Sequence, residues 1–159
     1  MAYLDLRDQI KDGDVLAYQY VNGWFKTWYS FKVNLVRLVT RSEYSHVGMA
    51  VLVEGRVMLL DSVTPVVRLI PLSNDLPCYH LTGHGMSEGQ RAKGFALIGK
   101  AKYSQWDAVL AFFSRNSAGD DRWSCAEFVT YVLDLPCQAT PSRVVEHMLA
   151  TGSTLRELS

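Results

Sequence analysis

The sequence contains no long apolar segment. No stretch reaches the roughly 20 uninterrupted apolar residues that a membrane-spanning helix needs. The first residues, from Met1 to Asp14, are charged throughout and contain no apolar core of the kind that a secretory signal has. We therefore expect a protein without a transmembrane segment or a signal peptide, which is cytoplasmic when it is synthesised.

The sequence also lacks an excess of charge of either sign. Lys plus Arg and Asp plus Glu each number 16, so the formal net charge is zero. Such a chain has no global field that would attract nucleic acid or an anionic surface. No dense cluster of Lys and Arg supplies a local field either. We therefore expect no nucleic-acid partner.

Cysteine is scarce, and the number of cysteines is odd. The chain has three, Cys78, Cys125 and Cys137. An odd number in a chain of this size argues against a disulfide framework and leaves at least one thiol free. A free thiol suits a reducing compartment or a reactive cysteine.

Motifs for phosphate or metal binding are missing as well. The phosphate-loop pattern Gly-x-x-x-x-Gly-Lys-Ser/Thr does not occur. Cys78, His80 and His84 are close in sequence, but they lack Cys-x-x-Cys spacing and offer only three ligands. We predict neither a cofactor nor a metal, and a structural metal held by these three residues is a third, separate interpretation of the chain.

What the sequence does contain is the pattern of one α+β domain over residues 1–159. The chain is 48% hydrophobic and has no internal repeat or linker. Short apolar runs separated by tight turns predict an antiparallel meander of strands. These strands are predicted at 15–20, 47–53, 56–63, 66–70 and 76–81. Helices are predicted at 24–39, 88–98, 125–135 and 140–149, and the first of them is rich in aromatic residues. Ser87 and Gln90 resemble a capping box at the start of the second helix, and the last helix begins with Thr140 as N-cap and Pro141 as first residue.

Cys125 is the residue around which a function can be built. It precedes an apolar run and is predicted to occupy the first turn of a buried helix. The N-terminus of a helix carries a partial positive charge and unpaired N–H groups. A thiolate at that place is stabilised, so its pKa falls and it becomes a nucleophile. The alternative is a buried structural thiol.

A base and an orienting group for Cys125 lie on a predicted hairpin. His46 begins one strand and Asp61 lies in the next, on the two sides of a turn at Glu54-Gly55. Folding about that turn brings His46 and Asp61 near one another, on one face if the register allows it. An imidazole with a pKa near 6.5 can take the thiol proton. A neighbouring aspartate would orient the imidazole, as in a catalytic triad.

At this point four motifs resemble a known family, the permuted papain-like hydrolases of the NlpC superfamily, in particular its YiiX-like group. The motifs are Gly13-Asp14-Val15-Leu16, Tyr44-Ser45-His46-Val47-Gly48-Met49, Leu60-Asp61-Ser62-Val63 and Trp123-Ser124-Cys125-Ala126-Glu127-Phe128. Thr140-Pro141-Ser142 is similar to the segment that follows the cysteine helix in that group. In the permuted members the histidine strand precedes the cysteine helix, as it does here.

The resemblance implies a circularly permuted papain-like fold, in which the antiparallel sheet packs against the cysteine-bearing helix. It implies that Cys125 is the nucleophile, His46 the base and Asp61 the orienting residue, although many members have Glu at the third position. Glu127 would be structural rather than catalytic. Thiolate attack on a carbonyl creates an oxyanion, for which the Cys125 N–H is one donor and Tyr18 is our candidate for a second.

The implied activity is that of a cysteine peptidase or amidase, a hydrolase that acts on a peptide or on peptidoglycan stem peptides. A lipid or ester acyl hydrolase or acyltransferase is an alternative, which only the aromatic helix from Trp24 favours. A non-catalytic phage or host-interaction module is another. Without a signal, an enzyme that acts on cell walls would need delivery by lysis or by a virion. The sequence leaves the oligomeric state open.

Overall fold

The computed structural model describes residues 2–19, 43–63, 66–83, 85–99, 124–136 and 140–159. The predicted helix at 24–39 lies outside these ranges, as do His84 and Cys137. Within the described ranges, no helix has the length and apolar character needed to cross a bilayer.

Six strands form one antiparallel sheet. They are β1 (Val15–Tyr18), β2 (His46–Val53), β3 (Arg56–Val63), β4 (Val66–Pro71), β5 (Cys78–Leu81) and β6 (Leu155–Leu158). Their order across the sheet is β4-β3-β2-β1-β5-β6. The chain therefore folds as a mixed α+β structure in which the first strand lies inside the sheet.

The predicted meander is confirmed for part of this sheet. β2, β3 and β4 follow one another along the chain and pair in that order. β5, however, does not continue beyond β4 but pairs with β1. Val15, Leu16 and Ala17 in β1 are all 0% exposed, so both faces of this strand are covered. A run that is apolar on both faces is typical of an interior strand, and β1 accordingly has a neighbour on each side.

The described helices are α1 (Tyr3–Leu6), α2 (Glu88–Ala96), α3 (Cys125–Leu133) and α4 (Pro141–Ala150). The predicted N-terminal signals of two of them are present. Ser87 and Gln90 form a capping box at α2, and Thr140 caps α4 with Pro141 at its first position. The Cys125 helix ends at Leu133, where Asp134 takes a left-handed conformation with φ of 54°.

Two apolar clusters cover the two faces of the sheet. The larger one joins α3 and α4 to side chains such as Val47, Met49 and Leu60. The smaller one joins the N-terminal segment to Leu16, Ala50 and Leu59 on the opposite face. Because side chains alternate along a strand, neighbouring residues of one strand belong to different clusters.

α3 is the most deeply packed of the described helices that cover the larger cluster. Its side chains Ala126, Phe128, Val129 and Val132 are all 0% exposed. This burial fixes the helix against β2 and β3. The position of its first residue, Cys125, is therefore set by the core.

The burial of β1 on both faces of the sheet leads to a prediction about stability. We expect Leu16→Ala to lower the free energy of unfolding by about 2–5 kcal/mol, because it removes buried methyl groups and leaves a cavity. Leu4→Ala is the matched control, since Leu4 is 72% exposed, and it should change stability by less than about 0.5 kcal/mol. Urea unfolding measures both. Equal losses would contradict the burial of β1.

Candidate active site

Cys125 occupies the first position of α3, where the local sequence forms a capping box. The Ser124 hydroxyl accepts a hydrogen bond from the Glu127 N–H at 3.2 Å, and the Glu127 carboxylate accepts one from the Ser124 N–H at 2.9 Å. The Phe128 N–H donates to the Ser124 carbonyl. Neither the helix nor the capping box uses the N–H groups of Cys125 and Ala126. These two donors and the positive end of the helix dipole therefore lie beside the thiol.

The predicted neighbours of the thiol meet in the hairpin of β2 and β3. His46 Nε2 and Asp61 Oδ2 lie 2.7 Å apart. The side chain of Asp61 is 0% exposed and that of His46 is 21% exposed. The structure thus brings together the two residues that the hairpin register was expected to bring together. Their catalytic roles stay predictions.

The register of the hairpin explains how a short aspartate reaches the imidazole. Val53 pairs with Arg56 across the turn and Met49 pairs with Leu60. One step further, Gly48 faces Asp61. A Cβ atom at Gly48 would lie 2.8 Å from Asp61 Cβ and 2.6 Å from Leu59 Cδ1. The missing side chain at Gly48 therefore leaves the space in which Asp61 turns toward His46.

The charges of the site favour an ion pair between Cys125 and His46. Burial lowers the pKa of His46, but the negative charge of Cys125 and hydrogen bonds to Asp61 and Cys125 outweigh it and raise the pKa to about 10. Burial raises the pKa of the Cys125 thiol. The charge of His46 and its hydrogen bond to the sulfur lower this pKa, and so do the backbone N–H groups of Val47 and Ala126. Together they hold it below its ordinary value. A thiolate and an imidazolium therefore stabilise each other at neutral pH.

The aspartate in turn is held as a carboxylate. Burial raises the pKa of Asp61, but hydrogen bonds from His46 and Arg68 lower it below the ordinary value. Because Asp61 binds Nε2 of His46, Nδ1 is the ring nitrogen left for Cys125. The order of contacts is therefore Cys125, His46, Asp61. This is the order of a nucleophile, a base and an orienting group.

Tyr18, the candidate for a second oxyanion donor, lies beside the imidazole. The ring centroids of Tyr18 and His46 are 5.6 Å apart. Its hydroxyl oxygen is buried and lies near Cys78, and burial raises the pKa of this phenol. Its role as a donor stays a prediction.

Cys78 and His80, two of the three candidate metal ligands, contact other groups in the described structure. Cys78 is 1% exposed in the smaller cluster, where burial raises the pKa of its thiol to about 12. His80 Nε2 lies 2.6 Å from Asp14 Oδ2, and both side chains are buried. His84 lies outside the described residues.

Sequence reasoning missed two residues of this site. Gly48 was visible only as a glycine inside an apolar strand, which is a sign of close approach by a neighbouring group. Arg68 was visible only as one charge in the apolar run from Val66 to Ile70. Neither signal points to His46 until the pairing of β2, β3 and β4 is known.

The fold thus carries a thiol, an imidazole and a carboxylate in hydrogen-bonded sequence, as in enzymes with a nucleophile, a base and an orienting group. The chain is similar to the crystal structure of the metalloprotein YiiX from Escherichia coli O157:H7, with a TM-score of 0.55 and 25% sequence identity. The alignment covers 86% of this chain and 69% of the YiiX chain. No model of a protein family matches the sequence, and no curated protein matches it. The fold is therefore YiiX-like, and its place in the NlpC superfamily stays a prediction.

Because YiiX is by name a metalloprotein, the fit of a metal to this chain matters. Among the described residues, no group of three or more His, Cys, Asp or Glu side chains is placed to hold a metal ion. Of the described residues at the candidate site, only the Cys125 sulfur and one nitrogen of His46 face each other, since Asp61 binds the other nitrogen. A zinc site takes at least three protein ligands. The described residues do not fit a metal, and the mechanism below uses none.

The space at Gly48 leads to a prediction. We expect Gly48→Ala to displace Asp61 or Leu59 and to lower the free energy of unfolding by about 1–3 kcal/mol, as overpacking does. It should also slow the alkylation of Cys125 by iodoacetamide, because His46 loses a well-placed carboxylate. Thermal unfolding and alkylation rates measure the two effects.

Gly89→Ala is the matched control for this change. A Cβ atom there would meet only Ser87 Oγ, at 3.9 Å, and alanine favours a helix by up to about 1 kcal/mol over glycine. This variant should be at least as stable as the wild type, with unchanged alkylation. If Gly48→Ala behaves like Gly89→Ala, Asp61 does not depend on the space at Gly48.

Proposed function

We propose that this protein is a thiol hydrolase of the permuted papain-like type, in which Cys125 attacks the carbonyl carbon of an amide or ester. The observation that carries the proposal is the contact order of Cys125, His46 and Asp61, with a 2.7 Å bond between the last two. The position of Cys125 at a capped helix start and the lowered pKa of its thiol support it. The YiiX-like fold is compatible with it.

The first half of the reaction forms an acyl-enzyme. The Cys125 thiolate forms a bond to the carbonyl carbon, and the π electrons of the C=O bond move to the oxygen. The imidazolium of His46 then gives its proton to the leaving amine or alkoxide as that bond breaks and the carbonyl re-forms. His46 ends this half as the neutral base, and the acyl group is a thioester on Cys125.

The second half restores the enzyme. Neutral His46 takes a proton from water, whose oxygen attacks the thioester carbon. The second tetrahedral intermediate collapses, the C–S bond breaks, and Cys125 leaves as a thiolate beside the imidazolium. A carboxylic acid is released. If an alcohol or amine replaces water, the same chemistry becomes acyl transfer.

The start of α3 suits the oxyanion that forms in both halves. The N–H groups of Cys125 and Ala126 are not used by the helix or its capping box, and they lie at the positive end of the dipole. Donors fixed before the reaction stabilise developing negative charge most effectively. Glu127 belongs to the capping box, so in this scheme it holds the helix start rather than moving protons.

Peptidoglycan stem peptides are the first substrates to test, because the resemblance to NlpC hydrolases implies them. Lipid acyl esters are the second class. The aromatic segment from Trp24 that favours them lies outside the described residues.

The proposed mechanism leads to a prediction about turnover. We expect the purified protein to hydrolyse a bond in peptidoglycan fragments, measured by the release of new amino groups, and we expect Cys125→Ala to abolish this. Loss of a nucleophile that works with its base costs several orders of magnitude in rate. Cys78→Ala is the matched control, and its activity should stay near that of the wild type.

Two outcomes would revise this picture. Equal rates for wild type and Cys125→Ala would contradict a cysteine hydrolase. Activity on phospholipid or thioester substrates but not on peptidoglycan fragments would keep the mechanism and change the substrate class.

The pairing of Cys125 with His46 leads to a prediction about the pH dependence of thiol alkylation. Cys125 should react with iodoacetamide well below pH 8.5, the pKa of an ordinary thiol, because His46 keeps it ionised. In His46→Gln the imidazolium is gone while burial remains, so the apparent thiol pKa should rise. Peptide mapping by mass spectrometry locates the label, and Cys78, whose pKa is raised to about 12, should stay unlabelled.

This measurement also separates an enzyme from a non-catalytic module of the same fold. A wild-type Cys125 that titrates near pH 8.5, with no change in His46→Gln, would show that the thiol is not primed. That result would favour the interaction module.

A further inference from the structure

We propose that Arg68 is a positioning residue of the candidate site, which holds the Asp61 carboxylate in the orientation that His46 needs. Arg68 lies on β4 directly across from Asp61 on β3. The inference rests on the proposed function, because it assigns Arg68 a part in keeping Cys125 and His46 reactive.

The contact between Arg68 and Asp61 is bidentate. Arg68 Nε donates to Asp61 Oδ1 at 2.9 Å, and Arg68 Nη2 donates to Asp61 Oδ2 at 3.1 Å. Oδ2 also accepts from His46 Nε2 at 2.7 Å. Two donors from one planar guanidinium fix the plane of the carboxylate. A single hydrogen bond to His46 would leave that plane free to turn.

Burial explains why a second cation is needed. The side chain of Asp61 is 0% exposed, and an ionised carboxylate removed from water must be paired to stay charged. His46 supplies a positive charge only while it is protonated, and it gives up its proton during the proposed reaction. Arg68 keeps its charge at every pH at which proteins are studied. It therefore keeps Asp61 ionised through the half of the cycle in which His46 is neutral.

Arg68 is itself held at the rim of the site. Its Nη2 also donates to Asp75 Oδ2 at 3.2 Å. The side chains of Arg68 and Asp75 are 34% and 33% exposed, so this outer pair meets solvent while Asp61 does not. The chain of contacts from Cys125 through His46, Asp61 and Arg68 to Asp75 thus leads from the reactive thiol to the surface.

Among the described residues, the other titratable groups next to this network are Tyr18 and Cys78. Burial is the largest cause that raises the pKa of each of them. Both are therefore neutral over the range in which the thiol and the imidazole are tested. Among the described residues, the charges that act directly on His46 are those of Cys125 and Asp61. Arg68, which also binds Asp75, acts on it through Asp61.

A purely structural cross-strand ion pair is the alternative, and a matched arginine separates the two roles. Arg91 binds Asp12 at 2.7 Å and also donates to the Leu52 carbonyl. Its side chain is 33% exposed, like that of Arg68. Loss of either arginine removes an ion pair made by a guanidinium of similar exposure, although Asp12 is 33% exposed and Asp61 is buried. Of the two arginines, only Arg68 contacts Asp61.

The experiment measures iodoacetamide alkylation of Cys125 between pH 4 and 9 in the full chain and in Arg68→Gln, Arg68→Lys and Arg91→Gln. Without Arg68, Asp61 should take up a proton at higher pH and stop supporting the imidazolium and the thiolate. The acid limb of the profile should then move to higher pH, with about a tenfold loss of rate on that limb for each pKa unit. Arg68→Lys keeps the positive charge but cannot make the bidentate contact. The acid limb of its profile should therefore lie between those of the wild type and Arg68→Gln. Arg91→Gln should keep the wild-type profile.

Proton NMR gives a second readout that needs no substrate. The hydrogen bonds of His46 to Asp61 and of His80 to Asp14 are both short and sheltered, and each should give a low-field imidazole N–H signal, assigned with His46→Gln. Arg68→Gln should shift or broaden only the His46 signal. The His80 signal shows that the variant is folded.

An unchanged profile and an unchanged His46 signal in Arg68→Gln would overturn the inference, as would an equal shift in Arg91→Gln. If Arg68→Gln does not fold, Arg68→Lys decides, and a wild-type profile would overturn it. Failure of the proposed function looks different. In that case wild-type Cys125 titrates near pH 8.5, or Cys125→Ala hydrolyses substrate like the wild type while Arg68→Gln still shifts the profile.

Discussion

The buried carboxylate of Asp61 is the interaction on which the rest of the site depends. A charge with no exposed surface is stable only when other charges and donors surround it. Here His46 and Arg68 meet its two oxygens from the strands on either side. In the proposed mechanism the same carboxylate orients the imidazole, and the imidazole in turn favours the thiolate of Cys125. One electrostatic requirement of folding therefore arranges three groups in the order that thiol chemistry needs.

The sheet supplies the precision of this arrangement. Asp61 and Arg68 are direct partners in the β3–β4 ladder, while Gly48 opens the space between Asp61 and its neighbour strand. A shift of the register by one residue would turn Asp61 to the other face of the sheet, among the apolar side chains that meet α3. The shift would also exchange Leu59 and Leu60 between the two apolar clusters and would separate Asp61 from His46 and Arg68. The packing of both faces therefore resists it. The core thus protects the geometry of the site.

Much of this arrangement could be predicted from the sequence, because its signals are local. The turn at Glu54-Gly55 and the apolar runs on its two sides define the hairpin, and the hairpin places His46 near Asp61. Ser124 and Glu127 are spaced as a capping box, which marks the helix start at Cys125.

Three other features depend on contacts between distant segments. β5 pairs with β1 across more than sixty residues of sequence, and β6 is a four-residue strand at an edge. Arg68 has no local signal of its role, since its meaning comes from its partner on β3. Such pairings depend on how distant strands of the whole sheet come together, and short apolar sequence patterns do not specify which strands pair.

The contrast between Cys125 and Cys78 shows what makes a thiol a candidate nucleophile in this fold. Cys78 is buried and Cys125 is partly buried, and burial by itself raises the pKa of both. Cys78 lies in a strand among apolar side chains, and among the described residues no imidazolium opposes that effect. At Cys125, a cationic imidazole and the N–H groups of a helix start lower the pKa of the thiol and oppose the effect of burial. Since the residue type is the same, the difference comes from placement, and placement depends on Asp61, which holds the imidazole. The reactivity that we propose for Cys125 therefore depends on the sheet as much as on the helix that carries the sulfur.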